Sequence, residues 1–304
     1  MDTVIETIDL SKVYYSDFRR TTTHALHNVA LSVKRGEIFA LLGLNGAGKS
    51  TLMKIMLDLI RPTSGEIMLF GKPIRSSHWK HKVGYLPELF AAPKFMTAED
   101  ILLYLGELGG LKRKELTTRV YDVLRTVDLF DSRNQKINTF SKGMILRLGV
   151  AQSLLNQPEL LFLDEPTDGL DPSGRKMMRD LIIELANKGI TVLLNSHLLS
   201  EVELLAHRVG ILHKGKVVIQ GKLSEIIPQN HHFEVEVSQN PQLGDDWICR
   251  PDGSGWKCKI ADIEKLQETL TKLQSKSIPV LSVVSSRTSL EEIFFRYISE
   301  DSNV

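Results

Sequence analysis

Ile38-Phe39-Ala40-Leu41-Leu42-Gly43-Leu44-Asn45-Gly46-Ala47-Gly48-Lys49-Ser50-Thr51 decides the fold. It opens as a continuous apolar run of buried-strand type, Ile38–Leu42. The segment Gly43 to Ser50 then fits the pattern G-x-x-x-x-G-K-S. Glycines let a backbone curl until several N–H groups point at one anion. A helix start near Gly48 adds its positive end, and Lys49 adds a point charge for β- and γ-phosphates. The Ser50 hydroxyl suits a magnesium ion. Leu52, Ile55, Met56 and Leu59 are expected on one face of the helix that follows. Strand, glycine loop and amphipathic helix in that order predict a nucleotide phosphate site.

Outward from this loop the chain alternates strands and helices. Val29, Leu31 and Val33 read as a half-buried strand, followed by a turn at Lys34-Arg35-Gly36-Glu37. A helix-rich stretch is expected over 98–155. Beyond it come a buried strand at 160–163, a helix at 175–187 and a strand at 191–194. That alternation predicts a mainly parallel sheet covered on both faces. The apolar strand at 160–163 runs into Asp164 and Glu165. Ligands bind beyond the carboxyl ends of such strands. Asp164 is therefore expected to serve a metal ion, and Glu165 to orient and deprotonate a water aimed at the γ-phosphate.

Pro228 marks an expected domain boundary, giving domains 1–228 and 229–304. In the second, Phe233, Val235 and Val237 alternate as a strand, and Asp252-Gly253-Ser254-Gly255 reads as a hairpin turn. Ile263, Leu266, Leu270 and Leu273 form a helical stripe, and 278–284 a last strand. Thr288-Ser289-Leu290-Glu291 fits a capping box at a final helix, with Leu290, Ile293, Phe294, Tyr297 and Ile298 on its apolar face. The tail thus reads as a small α+β domain. A hairpin centred on Gly253-Ser254 would set Cys249 opposite Cys258 as two reduced thiols.

Composition narrows the function classes. The chain has 304 residues and a net charge of +1, from 38 basic and 37 acidic residues, which argues against a dominant nucleic-acid surface. Two cysteines fit a reducing cytosol rather than a disulfide framework. No secretory signal is expected from the opening MDTVIETIDL. No apolar run approaches the ~20 residues of a spanning helix. His231-His232 lacks a complete metal-ligand set, and Lys112-Arg113-Lys114 reads as a solvated turn.

Three further segments bring in a resemblance. Phe140-Ser141-Lys142-Gly143-Met144, at a helix start, resembles a variant of the signature L-S-G-G-Q of ABC ATPases. Gly169-Leu170-Asp171-Pro172 resembles their D-loop, and Asn195-Ser196-His197 their switch histidine. The resemblance covers about residues 1–228. It implies an α/β P-loop NTPase core of the ABC ATPase kind, with an antiparallel β edge, a helical subdomain and a small C-terminal α+β domain. It implies ATP and Mg2+ as cofactors. Gly43, Asn45, Gly46, Ala47, Gly48, Lys49, Ser50 and Thr51 would hold the phosphates; Ser50, Asp164 and Glu88 would hold magnesium. Glu165 is then the general base, and His197 positions γ-phosphate and water. Ser141 and Gly143 would face the ATP of a second copy, and Asp171 would lie at the dimer interface. Tyr14, with Tyr15 as the alternative, matches the aromatic that stacks on adenine.

Departures from the pattern point to one branch. Glu88 stands where many such proteins carry glutamine, Lys142 where they carry glycine, and Met144 where they carry glutamine. These, with the ending Ser289-Leu290-Glu291-Glu292-Ile293-Phe294, resemble the type-2 ABC exporters. The resemblance implies a head-to-tail dimer on the cytoplasmic face of the membrane. That dimer would drive a separately encoded transmembrane permease through the region around 85–111. The alternatives are a soluble ABC-type ATPase acting on ribosomes or DNA, or an importer ATPase.

Overall fold

The computed structural model describes residues 2–16, 21–228, 231–244, 246–250 and 252–300. Its backbone divides into two units, Met1–Leu223 and Ser224–Val304.

The first unit begins with β1 (Thr3–Ser16), β2 (Thr21–Lys34), β3 (Ile38–Leu42), α1 (Lys49–Met56), β4 (Ser64–Leu69), β5 (Lys72–Pro73) and β6 (Val83–Leu86). Three helices follow: α2 (Ala98–Leu108), α3 (Arg113–Thr126) and α4 (Lys142–Leu154). The alternation then resumes with β7 (Leu160–Asp164), α5 (Pro172–Asn187), β8 (Thr191–Asn195), α6 (Leu199–Leu205), β9 (Arg208–His213) and β10 (Lys216–Lys222). A short α7 (Leu223–Ile226) crosses into the second unit, so the boundary expected at 228 falls inside that unit.

One sheet is antiparallel, in the order β2-β1-β4-β5. The other runs β10-β9-β3-β8-β7-β6, parallel throughout except for β10. Every residue of β3, β7 and β8 is buried, which is why these strands read as unbroken apolar runs. Their register aligns the carboxyl ends: Leu41 pairs with Asn195, and Asn195 with Asp164. Leu52, Met53, Ile55 and Met56 of α1 share one core cluster with Leu26 and Val29 of β2 and with Phe39 and Phe162. The helix behind the phosphate loop is thus clamped between the two sheets.

The predicted elements hold with two changes here. Helix α1 stops at Met56 because Asp58 turns to a φ of 56°, so Leu59 lies beyond the helix and is 61% exposed. Helix α5 starts earlier than expected, at Pro172, since Asp171 caps it and proline suits a first helical position. In the helical region Thr97 and Asp100 form a reciprocal capping box on α2. Arg147 of α4 donates to the carbonyls of Val127 and Asp128, fixing α4 to the end of α3.

The second unit holds β11 (His231–Val237), β12 (Ile248–Cys249), β13 (Trp256–Ile260), α8 (Ile263–Ser275), β14 (Val280–Arg287) and α9 (Leu290–Glu300). Its antiparallel sheet runs β12-β13-β11-β14. Val235, Val237, Cys258, Ile260, Leu266 and Leu273 belong to a core of its own. Three expectations change here. Cys249 pairs with Trp256, two residues from the expected Cys258, and both thiols are free. Ile263 is exposed at the start of α8, where Asp262 supplies the cap. The hydroxyl that caps α9 belongs to Ser289, which accepts from the Glu292 amide, rather than to Thr288. At the sheet edge, Leu281, Val283 and Val284 of β14 are exposed.

Candidate functional site

The phosphate loop leaves β3 at Gly43, where a β-carbon would collide with the Leu212 carbonyl. It turns through Gly46 and Gly48, at φ 82° and 107°, a region closed to most side chains. The Ala47 amide donates to the Leu44 carbonyl at 3.1 Å, closing the turn. Gly48 caps α1 without a side chain, so no carboxylate or hydroxyl from the cap occupies the helix start. Asn45, Gly46 and Ser50 are exposed at this mouth, while Ala47 and Lys49 are buried and Thr51 half-buried. The Lys49 ammonium donates to the carbonyls of Gly43, at 2.7 Å, and Leu44, at 3.3 Å.

Burial lowers the Lys49 pKa, and the charges of Glu165, Asp164 and Glu88 oppose that shift. These three acids therefore share the neighbourhood of the ammonium. Asp164, at the buried end of β7, accepts from the Asn195 amide at 2.5 Å. Burial pushes its carboxyl up, and the Asn195 hydrogen bond works against that push. Asn195 Oδ1 is buried with no hydrogen-bond partner among the described residues. Tyr85 is pushed up by its burial, then by the charges of Asp164 and Glu88.

Glu165 sits just past β7 at a φ of 51°, a strained conformation for a side chain of this size. Its amide donates to the Asn195 carbonyl at 2.9 Å, and its Oε2 lies 2.8 Å from His197 Nδ1. The His197 backbone N–H also points at that oxygen, at 3.4 Å. Asp164, Glu165, Asn195 and His197 thus meet at the ends of β7 and β8, and the charges of Glu165, Asp164 and Glu88 act on Lys49.

Ser141, Gly143 and Asp171 belong elsewhere. With Lys142, Gly169 and Leu170 they line a cleft of about 400 Å3 that includes none of the phosphate-loop residues. Ser141 caps α4, accepting from the Met144 amide at 3.3 Å. Asp171 caps α5, accepting from Ser173 Oγ at 2.6 Å and the Gly174 amide at 3.2 Å; the Ser173 bond is the main cause holding its carboxyl below the usual range. Tyr14 is exposed, with Lys12 Nζ 5.0 Å from its ring centre. It pairs with Thr23, two positions from Ala25, whose carbonyl abuts Gly48. Tyr15 is also exposed and faces the opposite side of the strand.

Asn195 is the site residue whose role the sequence left unassigned. The available signal was a lone amide ending an apolar strand, but its meaning depends on the register between β7 and β8.

Residues 26–168 match the family described as ABC transporter. An uncharacterized ABC transporter ATP-binding protein of Synechocystis is 36% identical, over 98% of this chain and 85% of its own. The bacitracin transport ATP-binding protein BcrA of Bacillus licheniformis is 35% identical, over 98% of both chains. A solved dimeric ATP-binding cassette, in a post-hydrolysis state with ADP and Pi, is 26% identical with a TM-score of 0.64, over 72% of this chain and 98% of that one. Among the described residues no helix is long and apolar enough to cross a membrane.

Proposed function

This chain belongs to the ABC transporter family as an ATP-binding, ATP-hydrolysing subunit, and on that premise we propose how its residues divide the work. Two copies close head to tail over two ATP molecules. In each site the loop of one copy, Gly43, Asn45, Gly46, Ala47, Gly48, Lys49, Ser50 and Thr51, cradles the triphosphate. The start of α4 in the other copy, at Ser141 and Gly143, faces the γ-phosphate, and Asp171 lines the contact between copies. The support is the presence, in one chain, of two helix starts in two separate groups, each offering only part of an anion site. Tyr14 stacks on adenine.

Ser50, Asp164 and Glu88 would hold magnesium, which supplies positive charge to the β- and γ-phosphate oxygens. The hydroxyl and the two carboxylates are hard oxygen donors of the kind such an ion takes, and both carboxylates act electrostatically on Lys49. The unpartnered Asn195 Oδ1, an acceptor suited to an ordered water, also fits such an ion.

Glu165 takes the proton of the attacking water, and His197 holds the carboxylate in place through Oε2. The observation that carries this assignment is the 2.8 Å contact of His197 with Glu165 at the end of β7, beside Lys49. Glu165→Gln should preserve ATP binding, slow steady-state hydrolysis by about 100-fold or more, and trap an ATP-bound dimer on gel filtration. Undiminished hydrolysis would remove Glu165 from the role of base.

The transported cargo passes through a separately encoded permease, and the chain works at the cytoplasmic face of the membrane. Its docking surface is the region 85–111, where Leu89, Phe95, Tyr104 and Leu108 are exposed. No nucleic acid takes part. Export is the favoured direction, supported by Glu88, Lys142 and Met144 in place of the commoner residues and by the bacitracin-transport relative. Co-purification with a polytopic membrane protein, lost when Leu89 and Phe95 are replaced by aspartate, tests the docking surface.

A further inference from the structure

Lys142 occupies the first helical position of α4 and reaches across to another element. Its ammonium lies 3.3 Å from Asp168 Oδ2. The side chain passes directly over Gly169, where a β-carbon would collide with Lys142 Nζ. Gly169 also has a φ of 63°. The Lys142 side chain thus lies across the open backbone of Gly169 on its way to Asp168. The Asp168 amide in turn donates to the Glu165 carbonyl at 3.2 Å. A continuous path thus runs from the start of α4, through Lys142 and Asp168, to the turn that carries Glu165. On the other side of the cleft, Leu170 packs near Gly143.

We infer that Lys142 is a positioning residue that ties the start of α4 to the Asp168–Glu165 turn of its own chain, rather than a ligand for phosphate. The inference rests on the sandwich reading above. The two elements belong to different ATP sites in that dimer: α4 serves the partner's ATP, and Glu165 serves this chain's own. The Lys142–Asp168 pair makes them shift together, so a phosphate seated at one site biases the geometry of the other. As an exposed ion pair it contributes little to stability in the isolated chain. Its effect grows where dimer closure removes water from the cleft.

The test is a charge cycle in the full-length protein. Lys142→Met and Asp168→Asn should each lower kcat about three- to tenfold while leaving ATP affinity within about twofold. The double variant should be no worse than either single one, and the swap Lys142→Asp with Asp168→Lys should recover most of the lost rate. Lys142→Arg should behave as wild type. The inference is overturned if Asp168→Asn is neutral, if the two losses multiply, or if Lys142→Met weakens ATP binding where Asp168→Asn does not. That last pattern would make Lys142 a phosphate ligand. Ser141→Arg serves as the separate control. If ATP-driven dimerisation survives it, the sandwich reading itself fails, whatever the charge cycle gives.

Discussion

The three residues at the ends of β7 and β8 show how much chemistry depends on a single hydrogen bond. Asp164 is buried, so its charge needs a donor, and Asn195 supplies one. A buried hydrogen bond to a charged group contributes about 1.5–3 kcal/mol. Asn195→Ala should therefore lower kcat about tenfold and also depress the melting temperature; a variant with wild-type turnover would remove Asn195 from the site. Asp164 and Glu165 drew their reading from the phosphate loop upstream, since two acids ending an apolar strand would by themselves read as solvated surface groups. The part played by Asn195 was not legible in the sequence, because it arises from strand register and not from local pattern. The contact of His197 with the Glu165 carboxylate likewise comes from the fold, since the two lie on different strand ends.

The phosphate loop illustrates the next scale, where backbone shape limits what a side chain can be. Gly48 combines a φ of 107° with close approach of the Ala25 carbonyl and the Leu26 side chain. Gly48→Ala should cost about 1–2 kcal/mol from backbone strain alone and shift α1 against β2. A nucleotide titration should show ATP affinity reduced at least about tenfold, a larger effect than on the melting temperature. The loop was plain in the sequence, but the end of α1 was not: Asp58, an ordinary exposed-type residue, adopts the left-handed turn that usually marks glycine. The Cys249–Trp256 register and the Ser289 cap were likewise not plain, displaced from expectation by two residues and by one.

Elsewhere in the same unit, Glu159 joins three segments, accepting from Arg35 at 2.7 Å and Lys82 at 2.6 Å. Those bonds hold its carboxyl below the ordinary value of 4.5. The folded state therefore binds the proton less readily than the unfolded one. The resulting stability is full above the unfolded pKa and disappears as pH falls through the folded one. The difference in melting temperature between wild type and Glu159→Gln should be present at neutral pH and vanish in strong acid. Partial exposure of the carboxyl keeps the difference small.

At the scale of the whole molecule, two units each carry a hydrophobic cluster of their own. Residues 1–228 produced alone should fold cooperatively and bind ATP with the affinity of the full chain, as calorimetry can check. A fragment that melts without a cooperative transition would make the second unit part of the folding nucleus. The two-unit plan was legible from the change in patterning after 228, since each unit follows its own order of strands and helices. The edge of the second unit's sheet has a practical consequence. Leu281, Val283 and Val284 are exposed and uncharged on a strand that pairs on one side with β11. Such edges template aggregation. The solubility ceiling of concentrated stocks should therefore be set by the tail, and Val284→Lys should raise it without altering ATP turnover.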